Sequence, residues 1–292
     1  MNCLPRRAVL GAGRSKIIES FGAEPALIRS MTQATAISFE SVTKAFGDGH
    51  APTLDTVSLA VRDQEFLAIV GPSGAGKTSL LRLVNRLDDP SAGTVRVDGE
   101  DVRTLDPVEL RRRIGYVFQG VGLFPHMTVA ENIGITPKLL NWDAARIDAR
   151  VDELIDLVRL DRGEHRNRFP HELSGGEQQR VGVARAIAAK PRLVLMDEPF
   201  GALDPITRDV LGRDCRRLHE QLGLTTVMIT HDMLEALLLA DRIVVMRAGR
   251  IIADGTPRAL MAREGDGYVQ ELMGPPRRQS EALRRLTNGE AP

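Results

Sequence analysis

The chain has 292 residues, of which 42% are apolar and 27% are charged, and its 39 basic and 39 acidic residues leave no net charge. This length suffices for one large domain or two modest ones, and the neutral balance argues against a general nucleic-acid binder, which usually carries a strongly basic face. Two cysteines, Cys3 and Cys215, are too few for a disulfide framework or a metal knuckle, so a reducing compartment is expected, and no apolar run approaches the roughly 18 residues of a membrane span.

Residues 1–36 show no sustained hydrophobic period, so we expect a disordered extension ahead of the folded protein. Their basic start and short apolar stretch make a poor secretory signal, because the apolar core is too short. Met31 is an alternative start, since patterned sequence begins at Ile37.

The next part of the chain predicts strands, a loop and a helix. Apolar and polar residues alternate in residues 37–46 and 57–61, as they do in half-buried strands. Residues 65–70 form a continuous apolar run that ends at a glycine, as a buried parallel strand would. A helix is expected from the glycine loop through residues 77–87, followed by a strand at residues 93–99.

Residues 122–170 have a helical character, and buried strands follow them. In residues 143–160 an apolar stripe faces acids and arginines, and it contains Ile147, Val151, Leu154, Ile155 and Val158. Buried strands are expected within residues 192–199 and 225–232, and a strand pair within residues 241–255. Strands that alternate with helices predict an α/β fold with a mainly parallel, helix-covered sheet.

The stretch Gly71–Thr78, "GPSGAGKT", fits the pattern G-x-x-x-x-G-K-[ST] between a buried strand and a helix. The backbone N–H groups of such a loop wrap phosphate oxygens at a helix N-terminus. Lys77 would reach the β and γ phosphates, and the Thr78 hydroxyl would bind Mg²⁺. The lysine is informative because 34 of the 39 basic residues are arginine, and only a compact ammonium fits inside a tightly curled loop.

Two acids, Asp197 and Glu198, follow the buried run "LVLM". Ligands of open α/β sheets bind at the carboxyl ends of the strands, where both acids are expected. Asp197 would hold a metal ion directly or through water, and Glu198 would act as general base on an attacking water. The alternative is that both acids merely cap the following segment.

Three further side chains are candidates for the same site. His231 follows a predicted strand and would contact a γ-phosphate, although a lone histidine is more often structural. Gln119 follows another strand and would ligate Mg²⁺ or the water, unless it lies in a solvated turn. Phe46 would stack on an adenine ring or, as the alternative, anchor its loop by burial.

A second stretch, Leu173–Arg180 or "LSGGEQQR", also looks like a phosphate-binding turn at a helix start. Together with "GPSGAGKT", Gln119, "LVLMDEP", "GALD" and His231, it resembles the nucleotide-binding subunit of an ABC transporter. The resemblance runs from about Ile37 to Met261, and the "LSGGEQQR" signature is its most specific part.

The resemblance implies a P-loop NTPase (RecA-like) core with an antiparallel β-subdomain and an inserted helical subdomain at about residues 121–180. The ATPase domain would span residues 37–264. The residues implied to bind ATP are Phe46, Gly71, Pro72, Ser73, Gly74, Ala75, Gly76, Lys77, Thr78 and Ser79. Those implied to bind Mg²⁺ are Thr78, Gln119 and Asp197.

The resemblance also implies that two copies meet head to tail. Ser174, Gly175, Gly176 and Glu177 of one copy would then complete the ATP site of the other, and Asp204 would line the dimer seam. Catalysis would rest on Glu198 as the base, on His231 at the γ-phosphate and on Gln119 at the Mg²⁺ or the water.

A finer resemblance, carried by "GLFPHMTVAENIGITPKLLNW" and "LMDEPFGALDPITR", is to importers of glycine betaine, choline and related quaternary amines. It implies membrane permease subunits, a periplasmic or lipid-anchored substrate-binding protein, no nucleic acid, and a place at the cytoplasmic face of the inner membrane. Residues 265–292 are expected to be a tail without the family's pair of regulatory modules, and from Pro275 onward it is predicted to be mobile.

Three other functions stay open at this stage. The first is an importer ATPase for another small solute, since the substrate never touches this subunit. The second is an ABC ATPase that acts on DNA or ribosomes, although such relatives usually carry coiled coils, zinc-binding cysteines or tandem cores. The third is a nucleotide-binding regulator, against which the presence of Glu198 argues.

Overall fold

A computed structural model describes residues 34–47, 51–120, 122–262 and 267–287. The extension expected at the N-terminus therefore lies almost entirely outside the described residues. The ten strands of the described ranges are β1 Thr35–Lys44, β2 Leu54–Arg62, β3 Phe66–Val70, β4 Ala92–Val97, β5 Glu100–Asp101, β6 Ile114–Val117, β7 Leu193–Asp197, β8 Thr225–Thr230, β9 Arg242–Arg247 and β10 Arg250–Gly255.

Ten α-helices lie in the same described ranges, and they follow or separate the strands. They are α1 Lys77–Val84, α2 Pro107–Arg113, α3 Val129–Leu139, α4 Ala144–Leu157, α5 Arg162–His165, α6 Gly175–Ile187, α7 Pro205–Leu222, α8 Met233–Leu239, α9 Pro257–Ala262 and α10 Gly267–Thr287. In the part of the chain that is described, no helix is both long enough and apolar enough to cross a bilayer.

The strands form two sheets. The larger has the order β10-β9-β3-β8-β7-β6, and all its neighbours pair in parallel except the β9–β10 hairpin. The smaller has the order β2-β1-β4-β5 and is antiparallel throughout. The predicted mainly parallel sheet and the antiparallel subdomain are both confirmed.

The apolar runs of the central strands are explained by helices on both faces of the large sheet. Along β3, Phe66 and Ala68 belong to a core on one face, whereas Leu67 and Ile69 belong to a second core on the other. Every residue of β3, β7 and β8 is buried. This is the pattern of parallel strands that are covered on both sides.

Short polar side chains set where the helices begin. Asp143 accepts a hydrogen bond at the start of α4, and Asp204 and Asp232 do the same for α7 and α8. Thr128 forms a reciprocal capping box with Glu131 at the start of α3. Each cap supplies a partner to backbone N–H groups that a helix cannot satisfy by itself.

Two elements differ from the sequence-based expectation. The α2 helix lies in a stretch without a sustained apolar period, and it starts at an Asp106 cap followed by a proline. The tail predicted to be mobile from Pro275 is helical, because α10 runs through both Pro275 and Pro276, and its mobility stays a prediction. Val269 and Met273 are buried against the core, so packing of the first half holds this helix where local propensity opposes it.

Candidate functional site

The parallel register of three strands brings the predicted site residues to one edge of the large sheet. Val70 of β3 is level with Thr230 of β8, and Asp197 of β7 is level with Ile229 of the same strand. The phosphate loop, Glu198 and His231 therefore leave the sheet side by side. Parallel strands place their carboxyl ends together, so residues far apart in sequence converge.

The loop between β3 and α1 curls tightly around the Lys77 side chain. Its Nζ atom donates hydrogen bonds to the carbonyl oxygens of Gly71, at 2.8 Å, and of Pro72, at 2.9 Å. Gly76 has φ of 95°, and a Cβ there would lie 2.5 Å from the carbonyl oxygen of Thr53, so only glycine fits. Burial lowers the pKa of Lys77, while the charges of Glu198 and Asp197 oppose that shift.

Asp197 lies at the end of β7, beside Thr78, which is the second residue of α1. The Thr78 hydroxyl donates to its Oδ1 atom at 3.3 Å. Burial raises the pKa of Asp197, and the neighbouring charge of Glu198 raises it further. The Tyr116 phenol also hydrogen-bonds to this carboxyl group, and burial raises the pKa of the phenol.

The Glu198 carboxylate is held from two sides. Gln119 donates from Nε2 to the Glu198 Oε2 atom at 3.1 Å, and His231 Nδ1 lies 3.4 Å from the same oxygen. Glu198 itself has φ of 44°, the left-handed region that a residue with a Cβ seldom adopts. Such a conformation costs energy and persists where the surroundings impose it, which is typical of functional sites.

Most of these residues line a single cleft of about 460 Å³, while Asp197 and Tyr116 lie behind its lining, where Asp197 contacts Thr78. Its lining consists of Thr53, Ser73, Gly74, Ala75, Gly76, Lys77, Thr78, Ser79, Gln119, Glu198 and His231. Phe46 is not part of the lining, and its ring is 52% exposed with the Lys44 ammonium 4.8 Å from its centre. That exposure argues against the alternative in which Phe46 anchors its loop by burial.

The second turn lies elsewhere in the subunit, since none of Ser174, Gly175, Gly176 and Glu177 lines this cleft. Ser174 begins α6, and Asp204 begins α7 by accepting from the backbone N–H groups of Ile206 and Thr207. The two helix starts pack together, because a Cβ on Gly176 would lie only 2.6 Å from the Thr207 methyl carbon.

The cleft combines three chemical elements at one strand edge. A loop of backbone N–H groups with one ammonium suits phosphate oxygens, as helix N-termini do in general. The oxygen-bearing side chains of Thr78, Asp197 and Gln119 are the hard ligands that Mg²⁺ prefers, and such sites need few protein ligands when phosphates complete them. Glu198 supplies a positioned carboxylate beside them.

Two polar residues of the structure were not indicated by the sequence patterns. Tyr116 lies near the end of β6, three residues before Gln119 in the sequence. That position at a strand end is the signal that could have revealed it. His165 contacts Glu177 from α5, a four-residue helix without a recognisable motif. No periodicity or spacing marks that contact.

Comparisons with known proteins agree with one another. The family model described as ABC transporter matches residues 54–201. The choline transport ATP-binding protein OpuBA of Bacillus subtilis (strain 168) is 50% identical over 238 residues, which are 82% of this chain and 62% of that protein. The glycine betaine uptake system ATP-binding protein YehX of Escherichia coli (strain K12) is 46% identical, over 82% of this chain and 76% of its own length.

A solved structure is also similar, namely the dimeric post-hydrolysis state of the ATP-binding cassette MJ0796 bound to ADP and Pi. Its TM-score is 0.68 at 34% identity, with coverage of 76% of this chain and 99% of that one. The chain thus spans a whole solved cassette but less than two thirds of the length of OpuBA.

We predict that Asp197→Asn stabilises the nucleotide-free protein at pH 7 to 8. Asparagine keeps an acceptor for Thr78 and removes a buried charge, so thermal unfolding should occur about 2–4 °C higher, as expected for roughly 1 kcal/mol. Because the pKa of Asp197 is raised in the folded state, wild-type stability falls as pH rises through that pKa. The difference should therefore shrink as the pH is lowered.

The matched control is Asp209→Asn, which removes an exposed carboxylate paired with Arg213. Exposed pairs contribute little, so its unfolding temperature should change by no more than about 1 °C. An Asp197→Asn protein that unfolds earlier than wild type at pH 8 would contradict the assignment of Asp197 as a buried carboxylate whose charge destabilises the folded protein.

Proposed function

This chain belongs to the ABC transporter family, and from that premise we propose that it is the ATP-hydrolysing subunit of an importer. The transported solutes would be glycine betaine, choline or related quaternary-amine osmoprotectants, the class named for its relatives. ATP-driven closure of two copies would move a membrane permease, and hydrolysis would reset the pair.

One observation carries the enzymatic part of the proposal. The Glu198 carboxylate lies across the cleft from the phosphate loop, with Gln119 and His231 both directed at its Oε2 atom. A carboxylate oriented in this way can take a proton from a water that attacks a phosphorus atom. Phosphoryl transfer depends mainly on positioning and charge neutralisation, so a fixed base and a phosphate cradle are the parts it requires.

Each remaining site residue has a role in this proposal. The backbone of Gly71–Ser79 would cradle the phosphates of ATP, and Lys77 would exchange its carbonyl contacts for the β and γ phosphates. His231 would donate to the γ-phosphate while it orients Glu198. Phe46, whose ring is exposed, would stack on adenine.

Mg²⁺ would be held by the Thr78 hydroxyl, the Asp197 carboxylate and Gln119, together with phosphate oxygens. When bound, it would neutralise charge that develops on the phosphates. The raised pKa of Asp197 fits this role. Burial raises that pKa, and Lys77 is the neighbouring cation that partly offsets the effect.

The phosphate loop at Gly71–Thr78 and the turn at Ser174 are both explained if they bind different ATP molecules. One lysine loop, one acid pair and one histidine support one hydrolysis site per copy, and the turn that begins at Ser174 does not line that site. We assign Ser174, Gly175, Gly176 and Glu177 to the ATP of a second copy, with Asp204 at the seam. The dimeric arrangement named for the similar cassette supports this assignment.

An apolar cleft of about 490 Å³ supports a permease partner. Its lining includes Phe118, Phe124 and Leu139, whose side chains are 45%, 42% and 50% exposed. Exposed apolar clusters of this kind mark sites where a partner packs, and a helix laid in a groove is a common form. A cytoplasmic helix of the permease is the occupant we propose.

That docking would place the subunit at the cytoplasmic face of the inner membrane as a peripheral protein. A periplasmic or lipid-anchored substrate-binding protein would act on the far side of the permease. The substrate class is supported by the solutes that appear in the names of the relatives. The residues of this chain support only the ATPase activity.

Glu198→Gln is expected to retain ATP binding but to slow hydrolysis by about 10²–10⁴-fold, because the base is lost while the phosphate cradle remains. The variant should accumulate an ATP-bound dimer, measured by sedimentation at saturating ATP and Mg²⁺. Lys77→Ala serves as the comparison, since it should lose ATP binding and remain monomeric. Persistent monomers of Glu198→Gln with ATP bound would count against the mechanism.

A mixed dimer tests whether Ser174 acts across the dimer seam. One copy carries Lys77→Ala and the other carries Ser174→Arg, so a head-to-tail pair keeps one composite site with both parts intact. Its hydrolysis should clearly exceed that of either variant alone. Contribution within a single copy would instead leave both sites broken, and the mixture would be as inactive as its parents.

The partner and substrate class are tested with a permease of the quaternary-amine importer class. In liposomes, ATP hydrolysis should rise when a binding protein loaded with glycine betaine or choline is added. Phe124→Asp should abolish that stimulation and the co-purification of the permease, while hydrolysis by the isolated subunit stays intact. Capture of ribosomes or DNA in place of a permease would indicate the other class of ABC ATPase.

A further inference from the structure

Glu177 connects the second helix start to a buried histidine. Its Oε2 atom accepts from the backbone N–H and from the hydroxyl of Ser174, both at 2.8 Å. Its Oε1 atom lies 3.1 Å from Nε2 of His165. The two carboxylate oxygens of Glu177 are thus divided between Ser174 and His165.

Both ring nitrogens of His165 face oxygen atoms that can accept hydrogen bonds. Nδ1 lies 3.0 Å from the backbone carbonyl oxygen of Asp161, which can only accept. Nε2 faces Glu177, whose pKa falls to about 2, chiefly because the Ser174 N–H donates to it, so that group is an ionised acceptor. Because an ionised carboxylate can only accept, Nε2 is the ring nitrogen that donates to Glu177.

The pair is well placed to resist solvent. His165 is 6% exposed, and its short helix is capped by Asp161, which accepts from the Glu164 N–H. The segment that follows is tied down as well, since the carbonyls of Arg166 and Arg168 accept from the first turn of α3. A charged contact that is partly shielded from water is stronger than the same contact on the surface.

The negative charge of Glu177 matters because of where its helix start would act. In the proposed dimer this turn faces the triphosphate of the second copy, so an uncompensated carboxylate would repel it. The Ser174 hydroxyl also donates to Glu177 here, and it must turn from that carboxylate to reach a phosphate oxygen. A hydrogen-bond donor on the opposite oxygen of Glu177 draws its charge away from Ser174 and so lowers both obstacles.

We propose that His165 is a positioning residue of the composite ATP site, which acts through Glu177 by donating a hydrogen bond that fixes its carboxylate, so that Ser174 can engage the ATP of the second copy. This role rests on the proposed head-to-tail dimer. His165 itself touches neither ATP nor the reacting atoms.

Two substitutions separate the contacts of the ring. In His165→Asn the amide nitrogen replaces Nδ1 and keeps the contact with Asp161, but the contact with Glu177 is lost. In His165→Gln the amide nitrogen replaces Nε2 and keeps a donor to Glu177. Both are made in the Glu198→Gln protein, and the dimer is measured by sedimentation against ATP concentration.

His165→Asn should weaken ATP-dependent dimerisation about tenfold, the effect of losing one charge-assisted hydrogen bond, and His165→Gln by no more than about threefold. The exposed His171, whose ring stacks on Phe169, provides the control His171→Asn, which should leave dimerisation unchanged. Thermal unfolding of each variant shows whether the two His165 substitutions damage folding equally.

A double-mutant cycle tests whether the effect passes through Glu177. When Glu177→Gln removes the charge, the further change His165→Asn should weaken the dimer by no more than about twofold. Equal losses for the asparagine and glutamine variants, or a tenfold loss that persists beside Glu177→Gln, would refute the role of His165 while the dimer itself stands. A parent protein that stays monomeric in ATP would refute the proposed dimer and this role with it.

Discussion

The parallel register of β3, β7 and β8 is the constraint on which the rest of the site depends. It places Val70, Asp197 and Thr230 at one edge of the sheet, so the residues that follow the three strands lie close together. More than a hundred residues of sequence separate Lys77 from Glu198, yet Glu198, His231 and the loop that leads to Lys77 each begin where a strand ends. Helices on both faces keep these strands buried and hence fixed.

The same edge carries features that oppose folding. Asp197 is a buried carboxyl group with a raised pKa, the Lys77 ammonium is desolvated, and Glu198 has a left-handed backbone. None of these would be retained for stability alone, because each has a less costly substitute. The two large apolar cores, one on each side of the sheet, offset the destabilisation that these site residues cause.

The second helix start repeats the chemistry of the first in a different place. Its Ser174–Glu177 capping box resembles an ordinary helix start, but His165 adds a contact to Glu177 that capping does not need. The residues after His165 bond to the first turn of α3, which adjoins the apolar cleft proposed for the permease. A continuous set of contacts therefore joins that cleft to Ser174.

The sequence by itself determined the strands, the loop at Gly71–Thr78 and the family resemblance, because strand burial and glycine turns are local properties that repeat in recognisable patterns. It did not reveal α10 beyond Pro275 or the contacts of Tyr116 and His165. Those features depend on which surfaces pack together after folding. Burial of Val269 and Met273 stabilises α10 despite its two prolines, and His165 of α5 contacts Glu177 of α6. Only the tertiary structure decides such contacts, since their energy comes from neighbours that are not adjacent in the chain.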